Sequence, residues 1–214
     1  MRPDGLGKTV QPCGELGAVV TAAGLSSRMG DYKPLLPIAG TTISRRLLST
    51  LREAGVGHIC VVTGYNAELL EEHLAGFGAV FVRNEAYRTT QMFDSVCLGL
   101  RVLRPLCDKV LFMPVDVPLF SVDTVSTLLQ SDAPVAVPVC GGKRGHPILL
   151  TGPVMDAVLS DSGDGGLRGA LDRSGVTEKK IEVPDRGILY DADTPEDYRT
   201  LLRLSEELAE NRLG

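Results

Sequence analysis

The residues best equipped to do chemistry cluster between Ala22 and Lys33, in the run AAGLSSRMGDYK. Ala22, Ala23, Gly24 and Gly30 are small enough to let backbone N–H groups approach a ligand closely. Ser26 and Ser27 add hydroxyls, and Arg28 and Lys33 add fixed positive charge. Together these are the means of holding phosphate oxygens. The loop is neither a Walker sequence, since no Gly-Lys-Ser/Thr follows, nor GxGxxG. Glycine-containing loops after strands are common and many bind nothing. The alternative roles are a surface salt bridge for Arg28 and a solvated loop position for Lys33.

Such a loop needs a rigid support, and the flanking sequence supplies it. Ala18 to Ala22 is an apolar run bounded by Gly17 and Gly24 and too short for a lone helix, which reads as a buried strand. Downstream, a helical stripe (Ile43, Leu47, Leu48, Leu51) precedes a strand over Ile59 to Thr63. A helix capped by Asn66, with Leu69, Leu70 and Leu74 inward, precedes a strand over Ala79 to Val82. The polar stretch Asn84 to Asp94 opens a helix capped by Thr90 or Asp94, and strands follow over Val110 to Val115 and Val135 to Val139. Repeated βαβ alternation predicts an α/β fold: a Rossmann-like three-layer α/β/α arrangement around a mostly parallel sheet. A small antiparallel addition is expected near residues 145–190, with strands at Ile148 to Leu150, Lys179 to Val183 and Gly187 to Tyr190. Ser160 to Gly166 reads as a mobile turn. Thr194-Pro195-Glu196-Asp197 starts a C-terminal helix running to about Asn211. In open sheets of this kind, ligands sit beyond the carboxyl ends of the strands. Gly24 and Asp116 both fall there.

At 214 residues the chain suits one domain, over 16–214, with 1–15 as a flexible tail. A net charge of −5 argues against nucleic acid, and no apolar run is long enough for a membrane span. The five cysteines form no CxxC pair or metal-ligand spacing, which fits a reducing cytoplasm.

AAGLSSRMGDYKPLLPIAG resembles the AAGxSxRMGxxKxLLxxxG signature of the MobA-like nucleotidyltransferases, in particular molybdenum cofactor cytidylyltransferases. The resemblance extends through Asn84 to Leu100, Asp116-Val117-Pro118, Gly145-His146-Pro147 and DADTPED from Asp191 to Asp197. It implies that Ala22, Ala23 and Gly24 line the base and ribose of a nucleoside triphosphate. Ser26, Ser27 and Gly30 belong to the same loop, and Arg28 and Lys33 sit on the triphosphate. Asn84 and Ser95 fall in the family's region for base and second-substrate contacts. Ala23, where guanylyl-transferring relatives have glycine, favours CTP over GTP. Gln91 and Phe93 depart from the family's commonest pattern.

An aspartate closing a buried strand makes Asp116 the best metal candidate. Mg²⁺ takes one or two carboxylates plus substrate phosphates, so a second ligand is expected from Asp191 or Asp193, with Asp191 preferred. Lys143, Arg144 and His146 form a cationic turn suited to the acceptor's phosphate, although a histidine before proline can equally be structural. The expected reaction is attack by an acceptor phosphate oxygen on the α-phosphorus of CTP with release of pyrophosphate. Molybdopterin is the expected acceptor and a molybdoenzyme a possible recipient of the product. The rivals are a sugar-phosphate or other alcohol-phosphate acceptor, GTP as donor, or a non-catalytic nucleotide-binding accessory protein.

Overall fold

The strand Leu16–Ala22 (β1) lies at the centre of the sheet because its side chains, Thr21 apart, are apolar. Ala18, Val20 and Ala22 face one hydrophobic cluster, while Val19 faces another. The computed structural model describes residues 15–26 and 28–210; the expectations for 1–14, for Ser27 and for a helix reaching Asn211 lie outside the described residues. The chain continues through a short hairpin, Pro37–Ile38 (β2) and Thr41–Thr42 (β3), then Ile43–Glu53 (α1), His58–Thr63 (β4), Ala67–His73 (α2), Val80–Arg83 (β5) and Met92–Leu103 (α3). Next come Lys109–Pro114 (β6), Val122–Leu129 (α4), Val135–Cys140 (β7), Lys143–Arg144 (β8), Ile148–Thr151 (β9), Gly152–Leu159 (α5), Gly166–Arg173 (α6), Glu178–Glu182 (β10) and Pro195–Glu210 (α7).

The main sheet runs β10-β7-β9-β6-β1-β4-β5, with β8 paired to β7. β1 is parallel to both neighbours, placing Ala22 beside Thr63 and Thr21 beside Pro114. Side chains from α1, α2, α4 and α7 pack on one face, and those from α3, α5 and α6 on the other. This is the expected three-layer α/β/α arrangement. The antiparallel part differs in place. β9 is inserted between β6 and β7, antiparallel to both, and β10 is parallel to β7.

Local chemistry explains the element boundaries. Thr194 and Asp197 cap α7 reciprocally: Thr194 N donates to Asp197 Oδ2 at 3.0 Å, and Asp197 N to Thr194 Oγ1 at 3.2 Å. α3 is capped by Gln91, whose N–H donates to Asp94 Oδ2 at 2.8 Å, so the cap is neither Thr90 nor Asp94. Asn66 precedes α2 in a left-handed conformation (φ 52°) and makes no side-chain cap. Leu69 turns outward, 49% exposed. Residues 187–190 form no strand but a 3₁₀ turn over Arg186–Leu189. Asp185 pins it, accepting from Gly187 N at 2.9 Å and from Ser121 N at 2.7 Å. The turn after α5 is tied rather than loose: Arg173 makes two hydrogen bonds to Asp161, and Gly163 lies against the Phe93 ring.

Candidate functional site

Beyond the carboxyl end of β1 the chain leaves the sheet at Ala23 and curls back. Ser26 adopts φ 53° and Gly30 φ 81°, and Met29 N closes a turn onto Ser26 O at 3.0 Å. Ser26 Oγ then accepts the Lys33 backbone N–H at 3.3 Å. The serine thus shapes the loop and delivers Lys33 to the sheet edge.

β6 ends next to β1. Val115 N bonds Thr21 O at 3.0 Å, so Asp116 emerges directly beside the loop. Ala192 N bonds Asp116 O at 3.2 Å, which carries the DADTPED segment to the same edge. Three stretches far apart in sequence therefore meet at one ammonium. Lys33 Nζ lies 2.5 Å from Asp193 Oδ1 and 3.4 Å from Asp116 Oδ2. Arg28 Nη1 lies 3.0 Å from Asp193 Oδ2. Burial pushes the Asp116 carboxyl up, and the long contact to Lys33 does not offset it. The Lys33 hydrogen bond holds Asp193 down. Burial and the Asp116 charge push Asp191 up, while its Oδ1 accepts Asp193 N at 3.3 Å. Asp191 therefore shapes the turn, and Asp193 makes the direct cation contacts.

These aspartates offer hard oxygen donors, the set that a divalent cation takes alongside phosphate oxygens. No group of three His, Cys, Asp or Glu residues among the described residues is arranged to hold a metal by itself.

Next to this cluster opens a cavity of about 180 Å³. It is lined from the loop side by Thr21, Ala22, Ala23, Gly24, Ser26 and Lys33, by Asn84, Tyr87, Thr90, Gln91, Met92 and Ser95 from the segment leading into α3, and by Asp116. Asn84 is 4% exposed and fully engaged. Its Nδ2 donates to Thr90 Oγ1 at 2.9 Å and to Ser95 Oγ at 3.0 Å, and its Oδ1 accepts Ala86 N at 3.1 Å. Thr90 Oγ1 in turn donates to Ala86 O at 3.0 Å. Ser95 only accepts in this network, which leaves its hydroxyl hydrogen for whatever enters the cavity. Asn84 and Ser95 thus meet the cavity as a hydrogen-bonded pair.

Sequence reasoning passed over Thr21, Tyr87 and Met92, and met Gln91 only as a departure from the family's commonest pattern. Thr21 is 7% exposed, and its Oγ1 has no partner. Its one visible signal was a hydroxyl at the end of an otherwise apolar strand.

The 143–146 turn is outside this cavity's lining. Arg144 Nη2 pairs with Glu178 Oε2 at 2.5 Å, and Lys143 faces solvent. The His146 ring packs edge-on against Phe112, 5.6 Å between centroids, and its backbone N–H donates to Ile188 O at 3.0 Å. Burial pushes the imidazole down to about 4, so it is neutral near pH 7. The expected cationic turn thus holds one engaged arginine and one solvated lysine, and its histidine carries no charge.

The model of the MobA-like NTP transferase domain matches residues 18–179. Molybdenum cofactor cytidylyltransferase of Escherichia coli is 27% identical over 85% of this chain and 93% of its own length. The purine catabolism protein PucB of Bacillus subtilis is 31% identical, over 86% of this chain and 95% of its own. Among solved structures, Rv0371c of Mycobacterium tuberculosis superposes with a TM-score of 0.79 at 25% identity, covering 89% of this chain and 99% of that one. The same mycobacterial protein is also known as a manganese complex, with a TM-score of 0.72 and 24% identity over 88% and 98% of the two chains.

Proposed function

The chain belongs to the MobA-like NTP transferase family and is a nucleotidyltransferase, and from that premise we propose that it moves CMP from CTP to the phosphate of a molybdopterin-type acceptor. The observation that carries this reading is the convergence of Arg28, Lys33, Asp116 and Asp193 beside a cavity that Lys33 and Asp116 themselves line.

The acceptor phosphate is already anionic, so no side chain needs to act as nucleophile or strong base. Its oxygen attacks the α-phosphorus of CTP, and pyrophosphate leaves from the opposite side. Positioning and charge do the work. The loop from Ala22 to Ser26 offers backbone groups to the nucleotide, and Arg28 and Lys33 stabilise the charge that gathers on the departing pyrophosphate. A Mg²⁺ ion held by Asp116 and Asp193 would neutralise part of that charge when bound. The Ser95 hydroxyl hydrogen suits the carbonyl or bare ring nitrogen of cytosine. Two features favour CTP: Ala23 at the position where guanylyl-transferring relatives have glycine, and the cytidylyl-transferring relative aligned over nearly its whole length.

The test is pyrophosphate release with each triphosphate, Mg²⁺ and a panel of acceptors. Release with CTP and molybdenum-bound molybdopterin is expected. Release with a sugar phosphate alone would overturn the acceptor, and silence with every acceptor would leave a binding protein instead.

A further inference from the structure

The carboxylates of Asp116 and Asp193 are already engaged by the chain's own cations. Both oxygens of Asp193 are taken, Oδ1 by Lys33 and Oδ2 by Arg28, and Lys33 also reaches Asp116 Oδ2. The Lys33 side chain is 11% exposed, so its ammonium stands between the two carboxylates rather than over them from solvent. A divalent cation using Asp116 and Asp193 would have to meet that ammonium at close range, where like charges repel strongly. Yet Lys33 also lines the nucleotide cavity. Its four-carbon stem lets the charge swing without moving the backbone, which Ser26 Oγ holds at the Lys33 N–H.

Building on the function proposed above, we infer that Lys33 is a stand-in for the metal: it closes the Asp116–Asp193 site in the free enzyme and opens it only when a triphosphate draws the ammonium into the cavity. The free protein then excludes divalent cations, and the metal site forms together with the nucleotide complex. Coupling of this kind is reciprocal, so the metal strengthens triphosphate binding by the factor by which the triphosphate strengthens metal binding. One ammonium thereby serves two ligands in turn. It balances the carboxylates before substrate arrives and the phosphates afterwards.

Direct Mn²⁺ binding to the full chain, read from the loss of the free-ion electron paramagnetic resonance signal, tests this without turnover. Wild-type protein alone is expected to bind Mn²⁺ at least tenfold more weakly than Lys33→Met. Lys33→Arg, which keeps the charge, is expected to stay as weak as wild type. Adding Asp116→Asn to Lys33→Met should abolish the gain. A CTP analogue with an α,β-methylene bridge should raise Mn²⁺ binding by wild type at least tenfold above that of the analogue in solution. It should add no comparable factor to Lys33→Met. Equal Mn²⁺ affinity in wild type and Lys33→Met, or a gain that survives Asp116→Asn, would overturn the inference. The comparison of wild type with and without the analogue needs no variant to fold, and an analogue that leaves Mn²⁺ binding unchanged would overturn it as well. Calorimetry with CTP alone reports separately on the parent reading: absence of CTP binding would remove the proposed function whatever Mn²⁺ does.

Discussion

Asn84 offers the sharpest test of how the cavity reads a base. Replacing it with aspartate keeps the side-chain shape and the Oδ1 contact to Ala86 N, but exchanges two donated hydrogen bonds for an acceptor. Ser95 must then turn its hydroxyl hydrogen towards the new carboxylate, and the cavity loses its donor. A hydrogen bond between neutral groups is worth about 1 kcal/mol net, roughly fivefold in affinity. Ser95→Ala is therefore expected to weaken CTP about fivefold by calorimetry. Asn84→Asp should lose that factor and a further one from its negative charge near the triphosphate. The charge penalty is the same whether Ser95 is present or replaced by alanine, so it cancels in a double-mutant cycle. What remains is the coupling through Ser95, expected at about 1 kcal/mol. Penalties that add, with coupling near zero, would show that Asn84 does not orient Ser95 and would refute the reasoning.

Three further outcomes follow from the same packing and charge. Asp116→Ala should lower kcat at least about a hundredfold, the scale of losing a preorganised charge contact, with the thermal melt still cooperative; unchanged activity would place the metal elsewhere. Gly99→Ala should lower stability by about 1–3 kcal/mol through overpacking, despite the better helix propensity of alanine. A Cβ there would lie 2.5 Å from Val19 Cγ1 and 2.9 Å from its Cγ2; urea unfolding checks this, and a more stable variant would show that α3 can lift off β1. The Arg173 hydrogen bonds, with that from Gly163 N, hold the Asp161 carboxyl at about 2. Its contribution is fully present above the ordinary carboxylate range and is lost as pH falls towards 2. In Arg173→Ala, carbon-13 titration of Asp161 should move its midpoint up towards the ordinary value, and an unmoved midpoint would discount the pair.

The signature loop was legible because its backbone dictates its composition. Small residues, a left-handed Ser26 and a positive-φ Gly30 leave few sequences that can make the curl. The βαβ rhythm was legible for a similar reason, since Val19, Val61 and Leu111 sit in strands buried on both faces. Strand order was not legible. Ile148 to Leu150 reads as a buried strand wherever it is placed, and insertion between β6 and β7 depends on register with Phe112 and Ala136. The 3₁₀ turn at Arg186–Leu189 escaped because its cause is remote: Asp185 also accepts from Ser121 N and from Thr124 Oγ1. The Lys33–Asp193 contact joins residues 160 positions apart, and no local pattern announces it.

The two halves of the reaction thus differ in how strongly sequence encodes them. A nucleotide is held largely by backbone, and backbone conformation restricts residue type at each position, so the loop carries a recognisable signature. In the 143–146 turn, which the sequence offers for an acceptor's phosphate, the chemistry resides in side chains whose state is set by neighbours. Arg144 is one of two adjacent cations in sequence but half of an ion pair with Glu178 in the fold. His146 is a possible cation in sequence but a neutral ring against Phe112 in the fold. Of the three residues, Arg144 keeps its charge within an ion pair, His146 is held neutral by burial, and Lys143 faces solvent. We propose that Arg28, whose side chain is 75% exposed although it pairs with Asp193, also meets the acceptor's anionic end. Arg28→Ala should therefore raise KM for the phosphorylated acceptor as well as for CTP. An effect on CTP alone would assign Arg28 to the triphosphate only.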